Sequence, residues 1–400
     1  MSIVARGQDL DLSAIPVIDG HCHSIAADFR ESSVESFLRI FTEAADPGMA
    51  AQHSVSTLTY RRAMRDLATF LTCTPTPASI LAARRKKPDY LTTLCRDASI
   101  QGMLVDTGYP PGTLGLSELQ SGFGCRVAEV LRIETLAEAL LLTAATFPSF
   151  EERFRHALTM ARSRGAVALK SIIAYRAGLA VKRTPPSEAH EAFQQLRARL
   201  AHAGRIRLTA KPILDYCVQV ALEEAKRLEL PIQFHTGIGD PDIDLLTANP
   251  ALLRPIMAQP SHAEVSIIVL HMGYPYVREA AFLASIYPQV YVDISLAAPL
   301  LRSALPALLR DLLALAPATK ILYGSDAHSQ PEMFWLGAHY ARWALGVMLK
   351  GCIADGTLTD QEAWEVAERI CYRNALELYR LDPSWRPDSG IGDGHHRSAS

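Results

Sequence analysis

The sequence predicts an α/β fold of the (β/α)8 type, a TIM barrel with a helical insertion between its first and second strands. Eight short runs rich in apolar and β-branched residues recur along the 400 residues. Stretches of helical periodicity separate most of these runs. Histidine, lysine and aspartate sit at the ends of five of them, where a barrel carries its chemistry.

Taken in order, the first run is IPVIDGHCH (15–23), and a long interval, 24–100, follows it. That interval has helical patterns of its own, SVESFLRIFTEA, STLTYRRAMRDLATFL and TPASILAARRKK, and reads as an insertion over the barrel mouth. QGMLVDTGY (101–109) and CRVAEVLRIE (125–134) come next, with a connection at 110–124 too short for a full helix. The pattern SFEERFRHALTMARSRG leads into GAVALKSIIAY (165–175), and ILDYCVQVALEEAKRLEL into PIQFHTG (231–237). VSIIVLHMG (265–273), QVYVDISL (289–296) and KILYGSDAH (320–328) complete the series, spaced by YVREAAFLASIYP and LLRSALPALLRDLLALA. Eight strands, nearly all followed by a helix, favour a closed barrel over an open doubly wound sheet. Residues 1–383 form this domain, and the polar, glycine-rich residues 384–400 read as a disordered tail whose His395 and His396 face solvent.

Composition narrows the function classes. The chain is 49% hydrophobic and 20% charged, with a net charge of -2, so no global field draws nucleic acid or an acidic membrane. A small-molecule substrate is the expected partner, and a homo-oligomer is compatible with the sequence. The seven cysteines have no CxxC and no regular spacing, which reads as reduced thiols in a cytoplasmic protein. The N-terminus lacks the basic start and apolar core of a secretion signal, and no apolar run reaches membrane-spanning length. There is no P-loop, GxGxxG or GxSxG motif.

The run ends carry the chemistry. His21 and His23 end the first run, Lys170 lies in the fourth, and His235, His271 and Asp326 end the fifth, sixth and eighth. His21 and His23 are two apart, so on an extended strand their imidazoles share a face while Cys22 points away. Neutral imidazoles with a carboxylate suit a borderline divalent cation, zinc first, with manganese or iron also compatible. Such an ion brings the pKa of a bound water towards about 7 and makes it a nucleophile. Asp326 beside it is placed for general base and acid work.

This order of residues, HxH, then lysine, histidine, histidine and aspartate, resembles the amidohydrolase superfamily. RICYRNALELYRL resembles the closing helix of its family 2 branch. The phrases IDGHCHS, LKSIIAYRAGL, FHTGIGD, HMGYPY and LYGSDAHSQPE look most like the N-terminal amidohydrolase domains of FluG and nodulin/glutamine synthetase-like proteins. The resemblance implies a metal held by His21, His23, Lys170, His235, His271 and Asp326. It implies catalytic roles for Asp326, which takes and returns the water proton, for His271 and for Lys170. A carboxylated Lys170 implies two ions, whereas an unmodified one implies a single ion and an ammonium free to hold a substrate carboxylate.

Arg132, Glu134 and Arg176, near the ends of the third and fourth runs, are candidate substrate-binding groups, although the arginines read equally as structural ion pairs. His328, two residues past Asp326, joins them at the pocket. Tyr109, Tyr175 and Tyr274 are placed to wall it, and Asp240, Asp242 and Asp244 read as helix-start caps. The expected reaction is hydrolysis of a C–N amide bond in a small carboxylated substrate such as a γ-glutamyl amide. Family 2 also holds metal-dependent decarboxylases of aromatic acids, the alternative reading. A non-catalytic metal-binding scaffold is the third.

Overall fold

The computed structural model describes residues 10–203 and 207–386. Eight parallel strands follow one another around a ring in chain order. They are β1 (Val17–Cys22), β2 (Ile100–Asp106), β3 (Arg126–Arg132), β4 (Ala166–Ser171), β5 (Ile232–Phe234), β6 (Ile267–Val269), β7 (Val290–Asp293) and β8 (Ile321–Leu322). The ring is drawn together between its first and last members by backbone bonds. Gly20 N–H donates to the Tyr323 carbonyl (3.0 Å), Asp326 N–H to His21 (2.9 Å) and His23 N–H to Ala327 (2.7 Å). The sequence therefore encodes a (β/α)8 barrel, as its eight runs predicted.

The lumen is filled from several strands at once. Ile18, Leu104, Val130, Ala168, Ile268 and Leu322 are buried in one apolar cluster. Ala375 and Tyr379, with Leu376 and Trp385 packed on them, cover its floor at the amino ends of the strands. Gly102 at the start of β2 makes room for this cover, since a Cβ there would lie 2.2 Å from the Trp385 ring. Packed chain thus continues past 383 through the turn Pro383–Trp385. His395 and His396 lie outside the described residues.

Between β1 and β2 the expected insertion is helical. Leu58–Leu71 buries Thr59, Ala63, Met64, Leu67, Ala68 and Leu71, a helical stripe, and Thr57 caps it through the Tyr60 N–H. Thr76 caps Pro77–Arg85 in the same way, with proline in the first turn. The first of the three patterns, SVESFLRIFTEA, yields only Val34–Leu38 before the chain tightens into a 3-10 turn. The short connection at 110–124 does hold a helix, the eight residues Leu116–Phe123. The Glu118 carboxylate accepts the Gly115 N–H at its start, and Gly124 at φ +70° ends it. Among the described residues, no helix is long and apolar enough to cross a membrane.

Candidate active site

At the carboxyl ends of the strands a cavity of about 480 Å³ opens between the barrel and the insertion. Lys170, His235 and Asp326 line it from the barrel, together with His23. His21 and His271 lie beneath, fully buried. The pleat of β1 brings both its histidines to one carboxylate, with Asp326 Oδ1 3.0 Å from His21 Nε2 and 3.4 Å from His23 Nε2. His271 Nε2 is 3.9 Å from Asp326 Oδ2 and 3.0 Å from His235 Nδ1. Lys170 Nζ is 2.9 Å from His21 Nε2. All six residues marked by their run ends therefore converge.

Two turns deliver these groups through unusual backbone. His271 (φ +62°), Met272 (φ +57°) and Asp326 (φ +55°) adopt left-handed conformations that cost of order 1–3 kcal/mol each in non-glycine residues. Specific bonds hold the strain. Asp293 accepts the His271 N–H (3.0 Å) along with the Ser295 N–H (3.1 Å) and hydroxyl. Asp19 accepts the Ser325 N–H (2.9 Å) and hydroxyl (2.5 Å). Gly324 is obligatory between them, because a Cβ would sit 2.3 Å from Asp293 Oδ2. Burial raises the Asp19 carboxyl to about 8 and that of Asp293 to about 7, against the hydrogen bonds they receive.

For His23 and His271 the far side of the ring fixes which nitrogen is presented. His23 Nδ1 meets the Tyr109 (2.9 Å) and Asp106 (3.3 Å) carbonyls and must donate to them, leaving the Nε2 lone pair for the site. His271 Nδ1 is similarly engaged with Ser295 Oγ (2.9 Å). Burial, reinforced by Lys170, lowers His21 to about 4. Burial also lowers His271 to about 3, and it holds His235 well below the usual histidine range. His21, His235 and His271 are accordingly neutral. Burial works against the Asp326 anion, yet His271, His21 and His23 around it keep the carboxyl well below its ordinary value.

These donors fit a divalent cation. Ligand atoms of His21, His23 and Asp326 lie within 4.8 Å of one another. Asp326 Oδ1, His21 Nδ1 and His235 Nε2 are buried without a hydrogen-bond partner. Neutral imidazole with carboxylate is the donor chemistry of a zinc-type site. Burial lowers Lys170 to about 8, opposed by Asp106 and Asp326.

The expected substrate-binding residues separate. His328 and both arginines line the cavity. Arg132 is already bidentate to Asp106, with Nε at 3.0 Å and Nη2 at 2.6 Å. Arg176 pairs with Glu138 at 3.4 Å and keeps a buried Nε–H without a partner. Glu134 is a correction. Its carboxylate accepts Ser171 Oγ (2.7 Å) and the Ile172 N–H (3.0 Å), bracing the turn after β4, and it does not line the cavity. Tyr109 and Tyr175 are walls, the latter with its ring centroid 4.3 Å from that of His235, whereas Tyr274 packs against the core. No helix starts at Asp240, contrary to the capping reading; residues 238–249 are turns, bends and irregular chain, and Asp244 closes a turn by accepting the Leu246 N–H (2.9 Å).

Sequence reasoning missed five charged lining residues: Arg39 and Glu43 in the insertion, Arg207, and Asp240 and Asp242 as wall groups. Burial raises Glu43 to about 8, with Asp326 and Asp240 adding to it. A glutamate in a helix-like segment gives no signal of this kind by itself.

Comparison with known proteins places this geometry. Residues 184–381 match the amidohydrolase family model. Protein fluG of Emericella nidulans is 31% identical over 414 aligned positions, covering 95% of this chain and 47% of that protein. The chain thus spans about half the length of the curated relative it matches. A Lactobacillus casei structure assigned as a metal-dependent hydrolase superposes with a TM-score of 0.86 and 28% identity, over 95% of this chain and 100% of that one. The uronate isomerase of Thermotoga maritima shares the fold at a TM-score of 0.62 and 13% identity, over 93% and 95% of the two chains.

Proposed function

Since the chain belongs to the amidohydrolase family and has its metal-dependent hydrolase fold, we propose that it hydrolyses the C–N bond of a small carboxylate-bearing amide, a γ-glutamyl amide in particular. The observation that carries this reading is the Asp326 carboxylate at the cavity base, ringed by His21, His23 and His271. A divalent ion on His21, His23, His235, His271 and Asp326, zinc by donor chemistry, supplies an acidified water and a polarised substrate carbonyl when bound.

The chain's own groups do the rest. Asp326, ionised at neutral pH, takes a proton from the attacking water and returns it to the departing amine nitrogen. Ser295 holds the His271 ring through Nδ1, fixing the direction of Nε2. The unpartnered Nε–H of Arg176 and the remaining edge of Arg132 offer donors to a substrate carboxylate. Glu43 and Asp240, which also line the cavity, suit the ammonium of a glutamyl head group, whose charge would offset the burial and repulsion that raise the Glu43 carboxyl. Lys170 either carries a carbamate, giving two ions per chain, or stays an amine beside one ion.

The test is release of glutamate and amine from a panel of γ-glutamyl amides by protein loaded with zinc or manganese, with metal content measured in parallel. Activity that chelation and His235→Ala both abolish is the expected result. Turnover surviving both overturns the proposal, and carbon dioxide release from hydroxybenzoates without amine replaces it with the decarboxylase reading.

A further inference from the structure

Behind the cavity lining, one guanidinium joins the insertion to the loop that carries Asp326. Arg84, in the helix Pro77–Arg85, is fully buried. Its Nη1 donates to Gln330 Oε1 (2.8 Å) and to both Glu332 oxygens (3.1 and 3.2 Å). Its Nη2 donates to the Phe29 carbonyl. Tyr90 O–H adds a bond to Glu332 (2.9 Å), and the Gln330 amide donates to Ser32 Oγ (2.8 Å) and Ser36 Oγ (3.3 Å). Gln330 and Glu332 are as fully buried as Arg84.

Gln330 lies only four residues after Asp326. Between them the backbone is left-handed at both Asp326 and Ser329. On its upstream side this loop hangs from β1, through Asp326 N–H to the His21 carbonyl (2.9 Å) and Ser329 N–H to Ser24 (3.2 Å). On its downstream side the buried cluster is the anchor. Neither Arg84, Gln330 nor Glu332 lines the cavity, so none of them touches a substrate there.

A buried ion pair is a poor device for stability, because an apolar replacement of similar volume often does as well. What a fork with fixed partners does supply is geometry. We infer that Arg84 is a positioning residue for the metal centre: by fixing Gln330 and Glu332 it sets the Asp326 loop at the spacing that lets His21, His23 and Asp326 share one ion. The inference rests on the metal-binding part of the function proposed above, and not on the amide chemistry.

The experiment is zinc affinity by competition with a chromophoric chelator, on the full 400-residue chain. Arg84→Met alone strands the Glu332 carboxylate, so the main variant is Arg84→Met with Glu332→Gln, and Arg84→Lys is the conservative companion. Folding is checked by circular dichroism and thermal melting. The expected result is a folded double variant whose zinc affinity falls about 10- to 100-fold, the usual effect of losing a group that orients a ligand, with Arg84→Lys between it and wild type. Wild-type affinity in the folded double variant overturns the inference. If the double variant does not fold, wild-type affinity in folded Arg84→Lys does so. Tight zinc binding by wild type without amide cleavage defeats the amide reading and leaves this one standing.

Discussion

The two ends of the barrel are built from the same eight strands and obey opposite rules. At the floor, Ile18, Leu104, Val130, Ala168, Ile268 and Leu322 interlock under Tyr379 and Trp385. At the mouth the same strands end in buried imidazoles, carboxylates and an amine, with left-handed backbone at His271 and Asp326 and polar atoms left without partners. The floor is an apolar core with ordinary backbone, and Gln233 Oε1 and Asn374 Oδ1 beside it are its unpartnered polar atoms. The mouth violates several requirements of a good core at once, and such violations concentrate where a protein binds or reacts. Stability and chemistry are thus assigned to different ends of one sheet.

If that division is correct, substitutions at the two ends should separate activity from stability. The largest effect is expected for Asp326→Asn, which should lower turnover of the amide substrate by about 100- to 10,000-fold, the range for losing a general base. With metal chelated, the variant gives up the stability of a carboxyl held low by its histidines, and its melting temperature should fall by less than that of a floor variant. A large drop in melting temperature would mean that the mouth also carries the fold. Leu104→Ala at the floor should behave inversely. It should cost about 2–5 kcal/mol in denaturant unfolding, as buried leucine truncations do, with turnover per folded molecule within about twofold of wild type.

The smallest effect is expected outside both regions. Asp97 accepts from Trp335 Nε1 (2.6 Å) and faces His339 Nε2 (3.1 Å), tying the helix Tyr90–Asp97 to the helix Glu332–Ala354. The His339 bond lowers its carboxyl, against partial desolvation and with help from Trp335. A carboxyl lowered on folding contributes stability above its unfolded pKa and loses it as pH falls through the folded one. Asp97→Asn should therefore destabilise by less than about 1 kcal/mol at pH 7, and the difference from wild type should close as pH drops below 3.8, the ordinary aspartate value. Thermal melts at the two pH values check this.

The uneven legibility of the sequence follows from the same division. His21, His23, Lys170, His235, His271 and Asp326 were readable because period-two alternation and strand ends are local patterns, and the fold turns such ends to a common face. Arg132 was readable as a cavity residue but not in its bond to Asp106, since that pairing depends on the β2–β3 register. Glu134 lies at the start of the helix Ile133–Thr143, so it points behind β4 and not into the cavity. Glu43 left no trace, and RRKK at 84–87 reads as a solvated helix end although Arg84 is fully buried, because the surroundings of both come from residues far along the chain. Asp240 misled because aspartates before an apolar run suit a turn as well as a cap.

The bonds that draw β8 to β1 join Gly20 to Tyr323 and His21 to Asp326. A nascent chain leaving the ribosome must therefore extrude most of its length with the first strand unpaired on one side. Contacts this distant in sequence slow folding and prolong the exposure of an open sheet edge. Until residues near 375–385 emerge to cover the lumen, the floor cluster also stays open to solvent. The barrel's assembly waits on the segments that close and cover it, and its need for chaperone protection during synthesis should be greatest just before they emerge.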